Sequence, residues 1–395
     1  MAFVDKLFRR VVALSFASRL SRQEIAGSLG DLGTFIPLAV GMVMVNGLNA
    51  GSVLLLAGLF NVATGLLFAI PMPVQPMKAI AAVAMAEKLT PGEIYAAGMV
   101  TSAVVLLLGL TGWIHWVERW VPKSVVRGLQ LAIGLQLMML GLTTITGSGH
   151  IWGADSIALG AGAGVVTLLL LPNRKVPAAL VLFGIGLVAI AVARPEVWRT
   201  LHLGLSIPQL TIPTLDEWRL GAVKGAIPQV PLTLLNSVVA VCALSRSLFP
   251  NRGASARKVS VSVGLMNIIG CWFGAMPMCH GAGGLAGQYL FGARTGASVV
   301  FLGTVKVLLG LFAGGAALAL LAVYPQSVLG VLLLFAALEL SLVVLDIKER
   351  RDGIVMLMTA GAILGLKSTA LGFLVGIAIA CILFYLTRRL YPDAS

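Results

Sequence analysis

Long apolar runs separated by short polar breaks make up the chain from Gly30 to Tyr385. A helix needs about 20 apolar residues to cross the hydrocarbon core of a bilayer, and most of these runs reach that order of length. With connections placed at Gly or Pro breaks, the pattern predicts about fourteen crossings, two of them unusually short. The sequence therefore predicts an all-α polytopic membrane protein.

The predicted crossings form two sets of seven. The first set is Ser28–Asn46, Gly51–Ile70, the short Gln75–Lys88, Glu93–Ile114, Ser124–Thr144, Ser156–Leu171 and Pro177–Ala193. The second set is Ile227–Phe249, Lys258–Gly274, the short Gly281–Phe291, Ala297–Tyr324, Ser327–Asp346, Gly353–Leu366 and Ala370–Leu390. Seven crossings per set give the halves opposite orientations. We therefore expect one transmembrane domain, 1–395, built as an inverted repeat with halves at about 24–195 and 225–390.

Composition supports lipid as the solvent for most of the chain. Of 395 residues, 58% are hydrophobic and only 11% are charged, which is more apolar surface than a soluble domain can hide from water. The arm before Glu24 is not expected to be a cleaved signal peptide, because four arginines interrupt it. No soluble regulatory domain is expected either, since few residues follow the last apolar run.

The net charge of +13 does not indicate nucleic-acid binding, because the basic residues lie between the apolar runs. Alternate connections carry Arg119, Lys123 and Arg127; Arg174 and Lys175; Arg246, Arg252, Arg257 and Lys258; Lys348, Arg350 and Arg351; and Arg388 and Arg389. This positive-inside pattern predicts a multi-pass protein of the cell membrane with both termini in the cytoplasm. The long connection from Arg194 to Lys224 is also basic, yet it is expected outside. It is the longest loop, and the charges of long loops have less influence on the orientation of a membrane protein.

The two halves resemble each other where the chain is most irregular. Ile70-Pro71-Met72-Pro73 precedes the first short crossing, and Gly274-Ala275-Met276-Pro277 precedes the second. Paired, proline-interrupted short segments in two halves indicate a transporter binding site. The alternative is that these prolines only kink helices for packing.

Lys78 lies just after the first proline cluster, where a helix is expected to begin near Pro76. The free N–H groups and the dipole of a helix start favour an anion. A lysine in that first turn is unfavourable unless an anion joins it, so we predict that Lys78 binds an anionic substrate. A lysine that reaches for the lipid headgroups is the alternative.

The second short segment offers another set of backbone N–H groups, at Cys279, His280, Gly281, Gly283 and Gly284, where small residues allow close approach. His280 either donates to an oxyanion or is a packed, hydrogen-bonded histidine. Cys279 is expected to be a small buried residue near the substrate rather than a reactive ligand.

Further polar residues occur within or beside the apolar runs. Thr34, Gln75, Gln229 and Asn236 are candidate hydrogen-bond partners of the substrate. Asp31 is either a structural partner of a helix start or lysine, or a protonatable coupling group. Glu339 is a second coupling candidate, and it could instead form a structural ion pair with Lys306.

Catalytic and cofactor motifs are missing from the sequence. No nucleophile lies beside a base, and no GxxxxGK[ST] phosphate loop occurs in a plausible context. The four cysteines lack CxxC spacing, so we expect no disulfide framework and no metal site. An enzyme is therefore the weaker class, and no cofactor is expected.

Four segments together resemble the molybdate transporter family, a distant relative of the sulfate permeases. They are Gly30-Asp31-Leu32-Gly33-Thr34, Pro71 to Lys78, Gln229 to Asn236, and Cys271 to Tyr289. The resemblance covers nearly the whole chain. It implies the seven-plus-seven fold shared with sulfate and uracil permeases, a core domain that moves against a gate domain, and a homodimer.

The expected function is transport of molybdate, bound between the two half-helix starts, with a proton as the candidate coupled ion. Sulfate and tungstate stay open as substrates because all three are tetrahedral dianions. A non-alternating anion channel or receptor is the alternative of a different class.

Overall fold

The computed structural model describes residues 20–113, 122–147, 149–172 and 176–390, and the side chains at 200 and from 384 onward are not described. These residues are largely helical. The helices are α1 (Arg22–Asn46), α2 (Ala50–Phe68), α3 (Lys78–Glu87), α4 (Pro91–Thr111), α5 (Lys123–Thr146), α6 (Ile157–Leu170), α7 (Ala178–Ala193), α8 (Pro195–Thr200), α9 (Leu215–Leu248), α10 (Ala256–Gly270), α11 (Ala282–Leu290), α12 (Ala297–Ala322), α13 (Gln326–Asp346), α14 (Arg350–Leu366) and α15 (Thr369–Leu390).

Every predicted crossing coincides with one of these helices. The short α8 and the first part of α9, residues 215–226, were not predicted as helix, because they fall largely in the predicted connection from Arg194 to Lys224. Seven of the described helices, α1, α2, α4, α5, α9, α12 and α13, are long and apolar enough to span a membrane, and α6, α7 and α15 contain shorter apolar stretches. The predicted fold class is confirmed. The count of fourteen crossings and the division into halves at about 24–195 and 225–390 stay predictions.

Local sequence signals set the helix boundaries. Gly47 adopts a left-handed conformation with φ 71° and ends α1, because glycine enters that region without a Cβ clash. The Asn49 side chain then accepts a hydrogen bond from the Ser52 N–H at 2.9 Å and starts α2. Thr90 and Glu93 form a reciprocal capping box at the start of α4. The α1–α2 and α3–α4 connections are therefore short.

The helices pack as two bundles. In the first bundle, α2 packs against α12, and α10 packs against α4; in the second, α5 packs against both α13 and α14. Glycines allow the closest approach between α2 and α12, since a Cβ on Gly58 would lie 2.5 Å from the Gly303 carbonyl oxygen. Helix α1 of the first bundle faces α7 and α13 of the second.

A short antiparallel strand pair, which was not predicted, joins the segments before the two half-helices. Strand β1 (Gln75–Pro76) pairs with β2 (Met278–Cys279), with Gln75 opposite Cys279. The Met77 N–H also donates to the Pro277 carbonyl at 2.8 Å. Prolines before each strand disfavour helix and keep the backbone extended. This pair brings the amino ends of α3 and α11 together inside the protein.

Helix α9 contains two wide turns of π-helix, Gly221–Ala226 and Thr233–Val239. Between them lie Pro228 and Pro231, whose missing N–H groups interrupt the regular hydrogen-bond ladder. Wide turns of this kind occur frequently at functional sites. The sequence predicted a span here but not its irregular geometry.

Candidate functional site

Lys78 is the first residue of α3, and its half-buried side chain projects from the helix start. The helix begins two residues later than predicted, because Pro76 belongs to strand β1 rather than to the first turn. Helix α11 begins at Ala282, with Gly281 as its capping residue. Both half-helix starts therefore carry a positive helix-dipole end into the interior, and α3 adds a full charge.

Gln229 occupies much of the α3 start. Its Oε1 accepts hydrogen bonds from the N–H groups of Ala79 at 2.9 Å and Ile80 at 3.1 Å. Its Nε2 donates to Thr233 Oγ1 at 2.9 Å. Gln229 was predicted to contact substrate, but here it caps the helix. These two N–H groups are thus already bound, so Lys78 is the main cationic feature left at the α3 start.

Gln75 and Asp31 occupy the matching position at the α11 start. A Cβ on Gly284 would lie 2.5 Å from Gln75 Nε2 and 2.8 Å from Asp31 Oδ1, and a Cβ on Gly281 would clash with Gln75 Oε1. These glycines therefore make room for two side chains of the protein, whereas the prediction had assigned the space to a ligand. Only Gly283 of this set faces open space.

The two bundles enclose a small cavity beside Lys78. Gly33, Thr34, Leu38 and Lys78 line it from the first bundle, and Leu137, Ala336, Glu339 and Leu340 line it from the second. Its volume is about 20 Å³, and one water needs roughly 10–15 Å³. The predicted Thr34 and Lys78 are brought together here, and Glu339 faces them from α13.

His280 is buried away from this cavity. Its Nδ1 lies 2.8 Å from the Pro73 carbonyl oxygen, and its Nε2 lies 2.9 Å from Ser262 Oγ. The ring also meets Phe68 edge to face. Since both nitrogens have protein partners, the structure favours the packed histidine over the predicted oxyanion donor.

Asn236 and Cys279 belong to α9 and β2. Asn236 is half-buried in the second wide turn of α9. Cys279 is buried, as predicted for a small residue of this segment. Neither predicted residue lines the cavity beside Lys78. In the part of the chain that the structure describes, no cluster of His, Cys, Asp or Glu could hold a metal ion.

Comparison with known sequences then identifies the family. A family profile described as "Molybdate transporter of MFS superfamily" matches residues 23–137 and 221–340. Molybdate transporter 2 of Arabidopsis thaliana is 41% identical over 91% of this chain and 87% of its own length. The chain belongs to the molybdate transporter family. The profile covers Lys78, Gln229 and both half-helices, so the cavity and its surroundings lie within the family's shared region.

The fold of this molybdate transporter family member is that of the sulfate permease group. The structure of SLC26A9 matches 98% of this chain and 69% of its own, with a TM-score of 0.68 and 15% identity. The transmembrane domain of the cyanobacterial bicarbonate transporter BicA matches 91% of this chain and 97% of its own, with a TM-score of 0.63 and 16% identity. At these identities the likeness concerns the fold alone. Membership of the transporter family, together with the long apolar helices, makes the chain an integral multi-pass membrane protein.

The structure does not support the alternative of a Lys306–Glu339 ion pair. Lys306 Nζ donates to Asn61 Oδ1 at 3.0 Å and lies 3.5 Å from the centre of the Phe35 ring. Glu339 instead lines the cavity with Lys78. Sequence reasoning missed Asn61 as a partner, although a polar residue in the middle of the apolar run of α2 was a usable signal.

Proposed function

We propose that this chain transports molybdate and binds it beside Lys78, between the two helix bundles. The observation that carries the proposal is the position of Lys78. It is the first residue of a half-helix inside the protein, and it opens on the cavity shared by both bundles. The helix dipole and the ammonium group both favour a dianion at that point, and Thr34 supplies a hydroxyl donor.

The size of the cavity supports transport by relative movement of the bundles. The cavity has room for about one or two waters, since its volume is about 20 Å³ and one water needs roughly 10–15 Å³, whereas a tetrahedral oxyanion has five heavy atoms. Helices α5 and α13 must therefore move away from α1 and α3 before the anion can sit at Lys78. We propose alternating access, in which the first bundle carries the site and the second bundle gates it.

Glu339 is the proposed counter-charge of Lys78 when no substrate is bound. It is an exposed residue of α13 and lines the cavity together with Lys78. In the compact state Glu339 partly balances Lys78; molybdate takes over that role when the bundles separate. Because bound molybdate replaces Glu339 as the counter-charge, the Lys78 ammonium is not left unpaired away from water.

Uptake of labelled molybdate into proteoliposomes tests the proposal. A carrier shows saturable uptake that accelerates when unlabelled molybdate is present inside the vesicles, because exchange avoids the return of the empty site. A channel shows flux without this acceleration, and a receptor shows binding without flux. Either of the last two results overturns alternating access. Loss of flux in Lys78→Ala, with Lys88→Ala at the opposite end of α3 as the control, places the site.

Competition experiments in the same vesicles show which tetrahedral dianion the protein prefers. Sulfate, tungstate and molybdate share charge and shape, so the cavity chemistry accepts all three. We propose molybdate on the support of the family, and inhibition constants for the three anions rank them. Stronger inhibition by sulfate than by unlabelled molybdate contradicts the proposal.

We further propose that a proton is the coupled ion and that Asp31 carries it. Asp31 is buried at the α11 start, where its Oδ1 and Gln75 Nε2 both lie against Gly284. Asp31→Asn should remove the pH dependence of uptake. An unchanged pH profile in this variant leaves Asp31 with a structural role only.

We also propose a homodimer in the cell membrane. Cross-linking of the protein in native membranes, followed by its mass in detergent, measures the assembly. A monomer in both measurements contradicts the proposal. The site beside Lys78 is formed within one chain, so its function does not depend on this outcome.

A further inference from the structure

A buried lysine behind the substrate cavity is not used by the proposed transport site. Lys306 of α12 is 3% exposed and has no place in the lining of the cavity beside Lys78. It borders instead a separate apolar cavity of about 390 Å³ between α1, α2, α7 and α12, which Leu32 and Phe35 also line. An ammonium group in such surroundings is costly unless a nearby charge balances it.

The surroundings of Lys306 direct it toward Asp31. Its Nζ donates to Asn61 Oδ1 at 3.0 Å and lies 3.5 Å from the centre of the Phe35 ring. Phe35 follows Asp31 by four residues in α1, where Asp31 ends a short 3₁₀ turn, so the two positions lie on the same side of that helix. Asn61 and Phe35 thus hold the ammonium beside Phe35, one turn of α1 from the position of Asp31.

The burial of Asp31 agrees with this geometry. Asp31 is fully buried, and an ionised carboxylate there needs a cation. Two lysines are available on opposite sides of α1, and only Lys78 opens on the cavity.

We propose that Lys306 is a positioning residue for oxyanion binding, since it balances Asp31 and so leaves Lys78 free for the substrate. This inference rests on the proposed function of the Lys78 cavity and deepens it. Without Lys306, the Asp31 carboxylate has Lys78 as its remaining nearby cation, and it competes with the dianion for the Lys78 ammonium. Asn61 and Phe35 support Lys306 by a hydrogen bond and a cation–π contact.

The test is a double-mutant cycle in purified full-length protein, with molybdate affinity measured by calorimetry and stability measured by thermal unfolding. Lys306→Met should weaken molybdate binding by about tenfold or more, since an uncompensated buried charge acts on the site over a short distance. The Asp31→Asn variant should bind molybdate several times more tightly than the wild type, because the positive charge of Lys306 then acts on the anion together with that of Lys78. The double variant Asp31→Asn/Lys306→Met should return to within about threefold of the wild-type affinity.

Lys348→Met is the matched control, since Lys348 is exposed in the α13–α14 connection; it should bind like the wild type. Wild-type affinity in Lys306→Met, or a double variant as weak as Lys306→Met, overturns the inference. If Lys306→Met fails to fold and the double variant folds, the pairing is supported; if both fail to fold, it is overturned. Should the wild type not bind molybdate, the proposed function fails, and the unfolding temperatures of the same variants still test the pairing.

Discussion

Gln229 Oε1 accepts the N–H of Ala79 at 2.9 Å, and this contact ties α9 to the start of half-helix α3. A helix start normally has free N–H groups for an anion. Here the uncharged Gln229 amide accepts two of those N–H groups, while the charged side chain of Lys78 lines the cavity. Binding of an oxyanion therefore depends on one side chain more than on a cradle of backbone groups.

Gln229→Ala should lower the stability of the protein by roughly 1 kcal/mol, the usual effect of a lost helix cap. Gln229→Glu should keep the cap, because a carboxylate also accepts the two N–H groups, but it should abolish molybdate binding by placing a negative charge beside Lys78. Thermal unfolding and calorimetry of both variants measure these effects. Intact binding in a folded Gln229→Glu contradicts the role given to the α3 start.

Lys78→Ala should lose molybdate binding while the protein still folds. Truncating one partner of a desolvated charge pair costs about 2 to 5 kcal/mol, which corresponds to roughly thirtyfold to several thousandfold in affinity. Lys78→Arg should keep part of the binding, since the charge remains while the shape of the donor changes. Wild-type affinity in both Lys78→Ala and Lys78→Gln, measured by calorimetry, would show that the lysine serves only the interface with lipid.

Glu339→Gln should raise the affinity for molybdate several-fold and slow its release, since Glu339 no longer competes for Lys78 in the compact state. Calorimetry and the rate of tracer exchange measure the two effects separately. Glu349→Gln, in the exposed connection that follows α13, is the control. A weaker affinity in Glu339→Gln would instead mean that this carboxylate supports the bound anion.

Two nearby glycines of α11 give opposite expectations for stability. Gly284→Ala places a methyl group 2.5 Å from Gln75 Nε2 and 2.8 Å from Asp31 Oδ1, whereas Gly283→Ala meets open space. We expect Gly284→Ala to lower the unfolding temperature and Gly283→Ala to leave it close to the wild-type value. Equal unfolding temperatures would show that Gln75 and Asp31 are not seated against α11.

Cysteine labelling tests the orientation in the membrane. Cys381 is the exposed native cysteine of the described residues, so Cys381→Ser provides the background. Arg252→Cys should then react only from the cytoplasmic side, and His202→Cys only from outside. The same cytoplasmic result is predicted for Lys175→Cys, although Lys175 lies outside the described residues. Reaction of Arg252→Cys from outside would reverse the topology.

The sequence predicted the helices well because their apolar runs and Gly or Pro breaks are local signals. Lys78 and Thr34 line the same cavity, and Lys78 was singled out because an ionisable residue beside a proline-interrupted short segment is unusual in a membrane. Their role in substrate binding stays a prediction. The contacts that Gln229, Gln75 and His280 make in the structure could not be predicted. Each depends on a partner far away in the chain, such as Ala79 for Gln229 at a separation of 150 residues. Hydropathy carries no information about such pairs.

The β1–β2 strand pair has a consequence for selectivity. Hydrogen bonds between Gln75–Pro76 and Met278–Cys279 fasten the two half-helix starts to each other, so the distance between them is the same whichever bundle arrangement the protein adopts. The half-helix starts, with Lys78 on one of them, then form a fixed wall of the site, and the room for the anion changes only as α5 and α13 move. A difference in oxyanion preference between the two faces of the membrane should accordingly arise from the second bundle.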